Sequence, residues 1–266
     1  MALWVADGER GLMRETDGGF VRAGPPGFAL CADGERVYCA GAGRCQCCDR
    51  GTGETLFDFP VPPGVCALEL FSRMVCALST EADCVAAYDP HTGQALYSAP
   101  AGAYPRALCH CGRRLAAAGG AAGEILLLDA ALRRAARFRV PGTACGVCRL
   151  PQGLFALCAA GEEEPTALLL RISPRGVVEE VFSDGQVPIS LCALPDGKCL
   201  VGCRESVAVL RRDGRVLSRL PCAYPARLRP CRGGALICDS WRGAVTLLSG
   251  RTVYRGGEPL DALDLP

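Results

Sequence analysis

Pro188-Ile-Ser-Leu-Cys-Ala-Leu-Pro-Asp-Gly-Lys-Cys-Leu-Val-Gly202 decides the fold. The stretch sets a short apolar run (189–194), a Pro-Asp-Gly turn (195–197) and a second apolar run (199–203) in line. A third run (206–210), the turn Asp213-Gly214 and a fourth run (216–220) follow. Runs of about five residues joined by glycine-containing turns predict a four-stranded antiparallel meander. One such sheet cannot bury both of its faces, so copies of it must stack.

Copies run along the whole chain. Turns equivalent to Asp196-Gly197 read Asp33-Gly34, Gln152-Gly153 and Gly233-Gly234. Turns equivalent to Asp213-Gly214 read Asp17-Gly18, 49–53, 89–93, 173–176 and Ser249-Gly250. Units open near Pro25, Pro62, Pro105, Gly142, Pro188, Pro225 and Pro259, about 39 residues apart. No segment carries a clean helical period; 130–136 comes nearest, and it falls where a turn and an outer strand belong.

The two ends explain each other. The chain begins inside a unit, with the run 2–6 at a second-strand position, and stops after a single run, 259–265. That last run, Pro-Leu-Asp-Ala-Leu-Asp-Leu, parallels Pro188-Ile-Ser-Leu-Cys-Ala-Leu. Joined, the fragments complete a seventh unit, and closure removes the open edge between first and last sheets. The expected fold is all-β: one seven-bladed β-propeller with four-stranded antiparallel blades, its ring closed by the C-terminal strand joining the N-terminal blade. Blades are expected at 25–61, 62–104, 105–141, 142–187, 188–224 and 225–258, with one shared by 1–24 and 259–266 of a single domain, 1–266.

The stretch from Pro188 to Gly202 resembles the repeat of YVTN-type, WD40-like bacterial propellers, and Ala86-Ala-Tyr-Asp-Pro-His-Thr-Gly-Gln94 resembles that repeat's second half. The resemblance spans the chain at the level of the repeat. It lacks the Trp-Asp and Gly-His signatures of true WD40 repeats and the valine-asparagine ending of the YVTN second strand. It implies the fold and leaves function open, since that family holds scaffolds, sensors and a few enzymes.

Net charge is +1 and charged residues make up 21% of the 266, so no strong field favours nucleic acid or an anionic membrane. Nineteen cysteines cannot all pair within one chain, and a chain of this length needs no staples. They are expected to be small buried hydrophobes in a reducing compartment. The first residues carry Asp7, Glu9 and Arg10 with no apolar signal region, and no run reaches 18 uncharged apolar residues. A cytoplasmic monomer is expected, with no cofactor, no nucleic-acid partner and no membrane contact.

Cys45-Gln-Cys-Cys48, Cys145-Gly-Val-Cys148 and Cys109-His-Cys111 are the densest thiol clusters. A structural zinc needs four converging ligands. Cys145 and Cys148 sit on an innermost strand, and alternation turns His110 away from Cys109 and Cys111. Packing is the expected role, with a metal or redox role for Cys145 and Cys148 as the competing reading. The only histidines, His91 and His110, are expected at an outer turn and on an innermost strand; too far apart to act as a pair, they leave His110 as a core residue. No nucleophile elbow or phosphate loop occurs in a fitting context. A lactonase-like site would draw on Glu69, Asp261 and Asp264, with no asparagine in the chain to assist.

The most suggestive polar set falls where one blade hands over to the next: Tyr104, Arg106, Arg149, Gln186, Tyr224, Arg227, Arg229 and Asp261. Two handovers read Ala-Tyr-Pro, at 103–105 and 223–225. Arginine offers a bidentate donor and tyrosine a flat amphipathic face, which suits a carboxylate, a phosphate or a peptide. The same residues could instead pack the rim and pair with Asp261 or Glu258. The acidic loop 162–165 reads as a solvated hairpin, and Trp4 and Trp241 as strand-packing residues, with a partner contact as the competing reading for Trp241 in the hairpin loop after Asp239-Ser240. The expected function is therefore a non-catalytic binding or protein-interaction module, taking a protein segment or a small anionic ligand at a channel mouth. A lactonase-like hydrolase or lyase is the alternative.

Overall fold

The computed structural model describes residues 2–161 and 163–265; Glu162 of the acidic loop lies outside them. Among the described residues the chain forms seven four-stranded antiparallel sheets and no helix. The first blade joins Pro259–Leu265 to Ala2–Asp7, Gly11–Thr16 and Gly19–Gly24. The second to seventh blades follow in chain order, their innermost strands being Ala29–Ala32, Val65–Phe71, Ala107–Cys111, Thr143–Leu150, Pro188–Ala193 and Pro225–Cys231. The ring closes as expected: Ala2 pairs Leu265, Trp4 pairs Leu263 and Ala6 pairs Asp261.

Burial follows from the stacking. Middle strands such as Met74–Ser79, Cys199–Cys203 and Ser206–Leu210 are buried along their whole length, because a neighbouring blade covers each face. Outermost strands such as Ala95–Pro100 are mostly exposed. Seven apolar cores fill the seams, one between each adjacent pair of blades. Cysteine and alanine recur in these seams because two sheets packed face to face leave little side-chain volume at the crowded positions. The segment 130–136 divides into a turn and the outer strand Arg134–Arg139.

Turn chemistry sets the register. Asp49 accepts from Thr52 N (2.7 Å), Asp89 from His91 N and Thr92 N (both 2.8 Å), and Asp129 from Ala131 N and Arg133 N (both 2.9 Å). These Asx turns leave the following residue to reverse the chain. Gly93 does so at φ +70°, packed so closely that a Cβ would collide with Phe59 of the preceding blade.

Alternating strand direction gives the ring two unlike faces. Each innermost strand starts at what we call the upper face, which collects the blade handovers and the turns between second and third strands. The lower face collects the remaining turns.

Candidate functional site at the upper channel mouth

At the upper face the central channel opens into a cavity of about 480 Å³ lined by residues from all seven blades. Arg106, Tyr224, Arg227 and Arg229 face it, with Cys66, Thr80 and Phe28. The handovers are held from beneath. Asp239 accepts from Ala223 N (2.8 Å) and Tyr224 N (3.2 Å), and Asp83 accepts from Tyr104 N (2.7 Å). The two Ala-Tyr-Pro segments then diverge. Tyr104 adopts φ +51° and is 61% exposed, whereas Tyr224 is half-buried and stacks on Trp241 at 5.3 Å and 16°. Arg204 lies over the Trp241 ring, 5.6 Å from its centroid.

Within the channel, Asp261 is fully buried and completely engaged. It accepts from Arg229 Nε (2.9 Å) and Nη2 (2.8 Å), from Leu30 N (2.9 Å) and from Ala262 N (3.0 Å). Arg229 Nη2 also donates to Leu30 O (2.8 Å). The fork-to-fork pair therefore ties the seventh, first and second blades together. Burial alone would raise the Asp261 carboxyl, but Arg229, with Arg227 and Leu30 N–H adding to it, holds it below the ordinary carboxylate range. Burial opposes the charge on Arg229 too, and the Asp261 carboxylate overcomes that and raises it.

Arg227 behaves differently from Arg229, although the two lie on one side of the same strand. Its side chain crosses the mouth from the seventh blade to the third, where Nη2 donates to Cys66 O. Its Nε lies 3.9 Å from an Asp261 already saturated by Arg229, and this buried Nε has no hydrogen-bond partner among the described residues. The Arg227 guanidinium is thus only partly engaged, with one N–H donor unpaired at the wall of the cavity.

The structure brings Tyr104, Arg106, Tyr224, Arg227, Arg229 and Asp261 to the upper end, and it separates the other two candidates. Gln186 is on the rim but fastened to the sixth blade that follows it, its Oε1 accepting from Glu205 N and Ser206 Oγ (both 3.2 Å). Arg149 lies at the far end of its innermost strand, against Gly112 in a lower turn. An eight-residue strand carries the chain through the ring, so its start and end open on opposite faces.

Two expectations about aromatic groups need correction. Trp4 is buried in the seam between first and second blades, but Trp241 is 63% exposed and packs on Tyr224 instead of a strand. Its place in the upper turn after Asp239-Ser240 was the signal in the sequence. His110 is exposed, not in the core: its Nε2 contacts Gly112 O (2.6 Å) and its ring meets Phe71 edge-on at 5.6 Å. Arg204 and Phe28 gave no sequence signal, since nothing local marks an arginine or phenylalanine that a neighbouring blade turns toward the mouth.

The thiols are mostly packing groups. Cys45, Cys47, Cys48 and Cys148 are buried, and burial pushes Cys47 and Cys48 up to about 11 and Cys148 well above the ordinary range. Cys109 and Cys111 share a face, Sγ to Sγ 3.9 Å. Among the described residues no three His, Cys, Asp or Glu side chains gather as a metal site would require. Glu69 stands in the channel, where burial raises its carboxyl against the opposing pull of Arg229, His110 and Arg227. Asp264 is half-buried on the closing strand, beside Leu3.

No family model and no curated protein matches the sequence. Solved structures do match in fold. A proposed 6-phosphogluconolactonase of Bacteroides uniformis superposes with a TM-score of 0.74 at 14% identity, covering 98% of both chains. A proposed 6-phosphogluconolactonase of Bacteroides fragilis gives 0.72 at 13% identity over 99% of this chain and 98% of that one. A virginiamycin B lyase of Staphylococcus aureus, solved with quinupristin, gives 0.70 at 10% identity over 88% and 84%. At such identities the likeness establishes the seven-bladed propeller alone.

Proposed function

We propose that this chain is a non-catalytic binding propeller that receives an anionic group, carboxylate or phosphate, at the upper channel mouth. The reading rests on Arg227, which spans the mouth with a buried Nε–H unused while Asp261, the carboxylate 3.9 Å from it, is saturated by Arg229. Arg106 adds a second cation on the cavity wall, and the Arg204–Trp241–Tyr224 stack supplies a flat shelf at the rim. Exposed aromatic and arginine side chains around a pocket are the residues that dominate binding energy at interfaces. The anion is carried by a protein segment or by a small molecule, and the shelf favours the segment.

A lactonase-like or lyase activity draws support from fold likeness alone. Asp261, one of its three carboxylates, is committed to Arg229 and has no free oxygen for a cation or a proton transfer.

Calorimetric titration with citrate and with inorganic phosphate tests the reading. Binding by the parent protein should weaken by about tenfold or more in Arg227→Ala, the worth of one charge-assisted contact. The variant should keep the parent's circular dichroism, because Arg227 is not part of the ring-closing pair. Arg229→Ala is the unsuitable choice, since it removes structure and site together. Undiminished affinity in Arg227→Ala would remove the site from the mouth.

A further inference from the structure

We infer that the seam between the fourth and fifth blades, on the lower face, is a second binding site, for a small organic carboxylate with an aryl or alkyl body. The seam holds a cavity of about 320 Å³, at the lower end of the ~300–1,000 Å³ typical of ligand pockets. It lies on the opposite side of the ring from the channel mouth and does not depend on the role proposed there.

Three features select the ligand. The walls include Phe138, Leu154 and Ile172, so the body must be apolar. Arg114 and Arg149 flank the cavity, and neither guanidinium makes a side-chain hydrogen bond or ion pair among the described residues, so the head must be anionic. Gln152 lines the same cavity, and its Nε2 is buried without a hydrogen-bond partner among the described residues. An orphaned buried amide donor costs the desolvation of its N–H groups until an acceptor arrives. Arg114, Arg149 and Gln152 thus bring unpaired donors to the cavity, while the Ser173 hydroxyl oxygen there already accepts from Val177 N (3.0 Å), and a carboxylate is acceptor-only. Guanidinium and amide donors set around an apolar slot fit that head and body together.

The surroundings add long-range attraction. Arg73, Arg113, Arg133 and Arg175 are all exposed in the lower turns of the third to fifth blades. The carboxylates there, Asp89 and Asp129, are turned onto backbone N–H groups. A sector of one sign beside a low-dielectric slot raises the local concentration of an oppositely charged ligand. The whole-chain charge of +1 conceals this, because it sums faces that a ligand meets separately.

The probe is 4-phenylbutyrate, with 4-phenylbutanol as its uncharged counterpart, each titrated calorimetrically into the full chain. One molecule should bind per chain with Kd below about 1 mM. Arg114→Gln and Arg149→Gln should each weaken it about tenfold, both being exposed side chains whose loss leaves the fold intact. The alcohol should not bind, and Arg227→Ala should bind as the parent does. Gln152→Leu should weaken binding yet raise the melting temperature of the ligand-free protein, since it removes the orphaned donor. The site is overturned by no saturable binding, by equal binding of acid and alcohol, or by affinity unchanged in Arg149→Gln. Loss of binding in Arg227→Ala, or a lower melting temperature in ligand-free Gln152→Leu, overturns it as well.

Discussion

Replacing Asp261 with alanine should be among the most damaging single changes available to this ring. Asp261 is fully buried and accepts two bonds from Arg229, one from Leu30 N and one from Ala262 N. Its removal leaves the Arg229 guanidinium deep in the channel with Leu30 O as its remaining partner, and leaves Leu30 N without an acceptor. Breaking a buried ion pair from one side costs about 3–5 kcal/mol. That is a large part of the ~5–15 kcal/mol that holds a folded chain together. At about 2–4 °C per kcal/mol for a chain near this size, the melting temperature should fall by roughly 6–20 °C. Urea unfolding followed by fluorescence is the assay, because Trp4 is buried in the seam that Leu30 shares. The double variant Asp261→Leu/Arg229→Met should recover most of the loss, since no charge is left unpaired. The pH dependence has a definite sign. The carboxyl lies below its ordinary value in the folded state, so its contribution is complete above the unfolded value near ~3.9 and disappears as pH falls through the lower folded value. The gap between parent and Asp261→Ala should hold constant from neutrality to about pH 5 and close only in stronger acid. A loss below about 1 kcal/mol, or a gap that narrows between pH 8 and 6, would refute the assignment of Asp261 as an ionised tie between three blades.

Other perturbations separate the fold's remaining supports. Glu69→Gln should stabilise the protein near neutrality, because burial raises this carboxyl and its ionised form is disfavoured on folding; the advantage should shrink as pH falls through the raised value, as read from urea midpoints at several pH values. Gly93→Ala should cost at least about 1–2 kcal/mol, from the left-handed φ of +70° and the clash with Phe59, read from the same midpoints. Deleting 259–266 should abolish cooperative unfolding, because Ala2–Asp7 loses its partner strand and the seventh blade its neighbour; a synthetic peptide of those residues should restore the transition.

The sequence alone determined the kind of object this is. Seven copies of one turn-and-run pattern, with a tail that supplies the strand missing at the head, leave few folds open, and the strands Cys199–Cys203 and Ser206–Leu210 match runs read directly from residues. Such features are local or periodic, so neighbouring residues suffice to reveal them. Which residues meet at a mouth is a different kind of fact. Arg227 and Arg229 are two positions apart on one strand, yet one closes the ring with Asp261 and the other crosses the channel to the third blade. Arg149 belongs to the lower face because its strand runs through the ring, and Trp241 meets Tyr224 and Arg204 only because turns from different blades converge. Closing the ring sets side chains from distant parts of the chain a few ångströms apart, and only the tertiary structure decides which of them face one another.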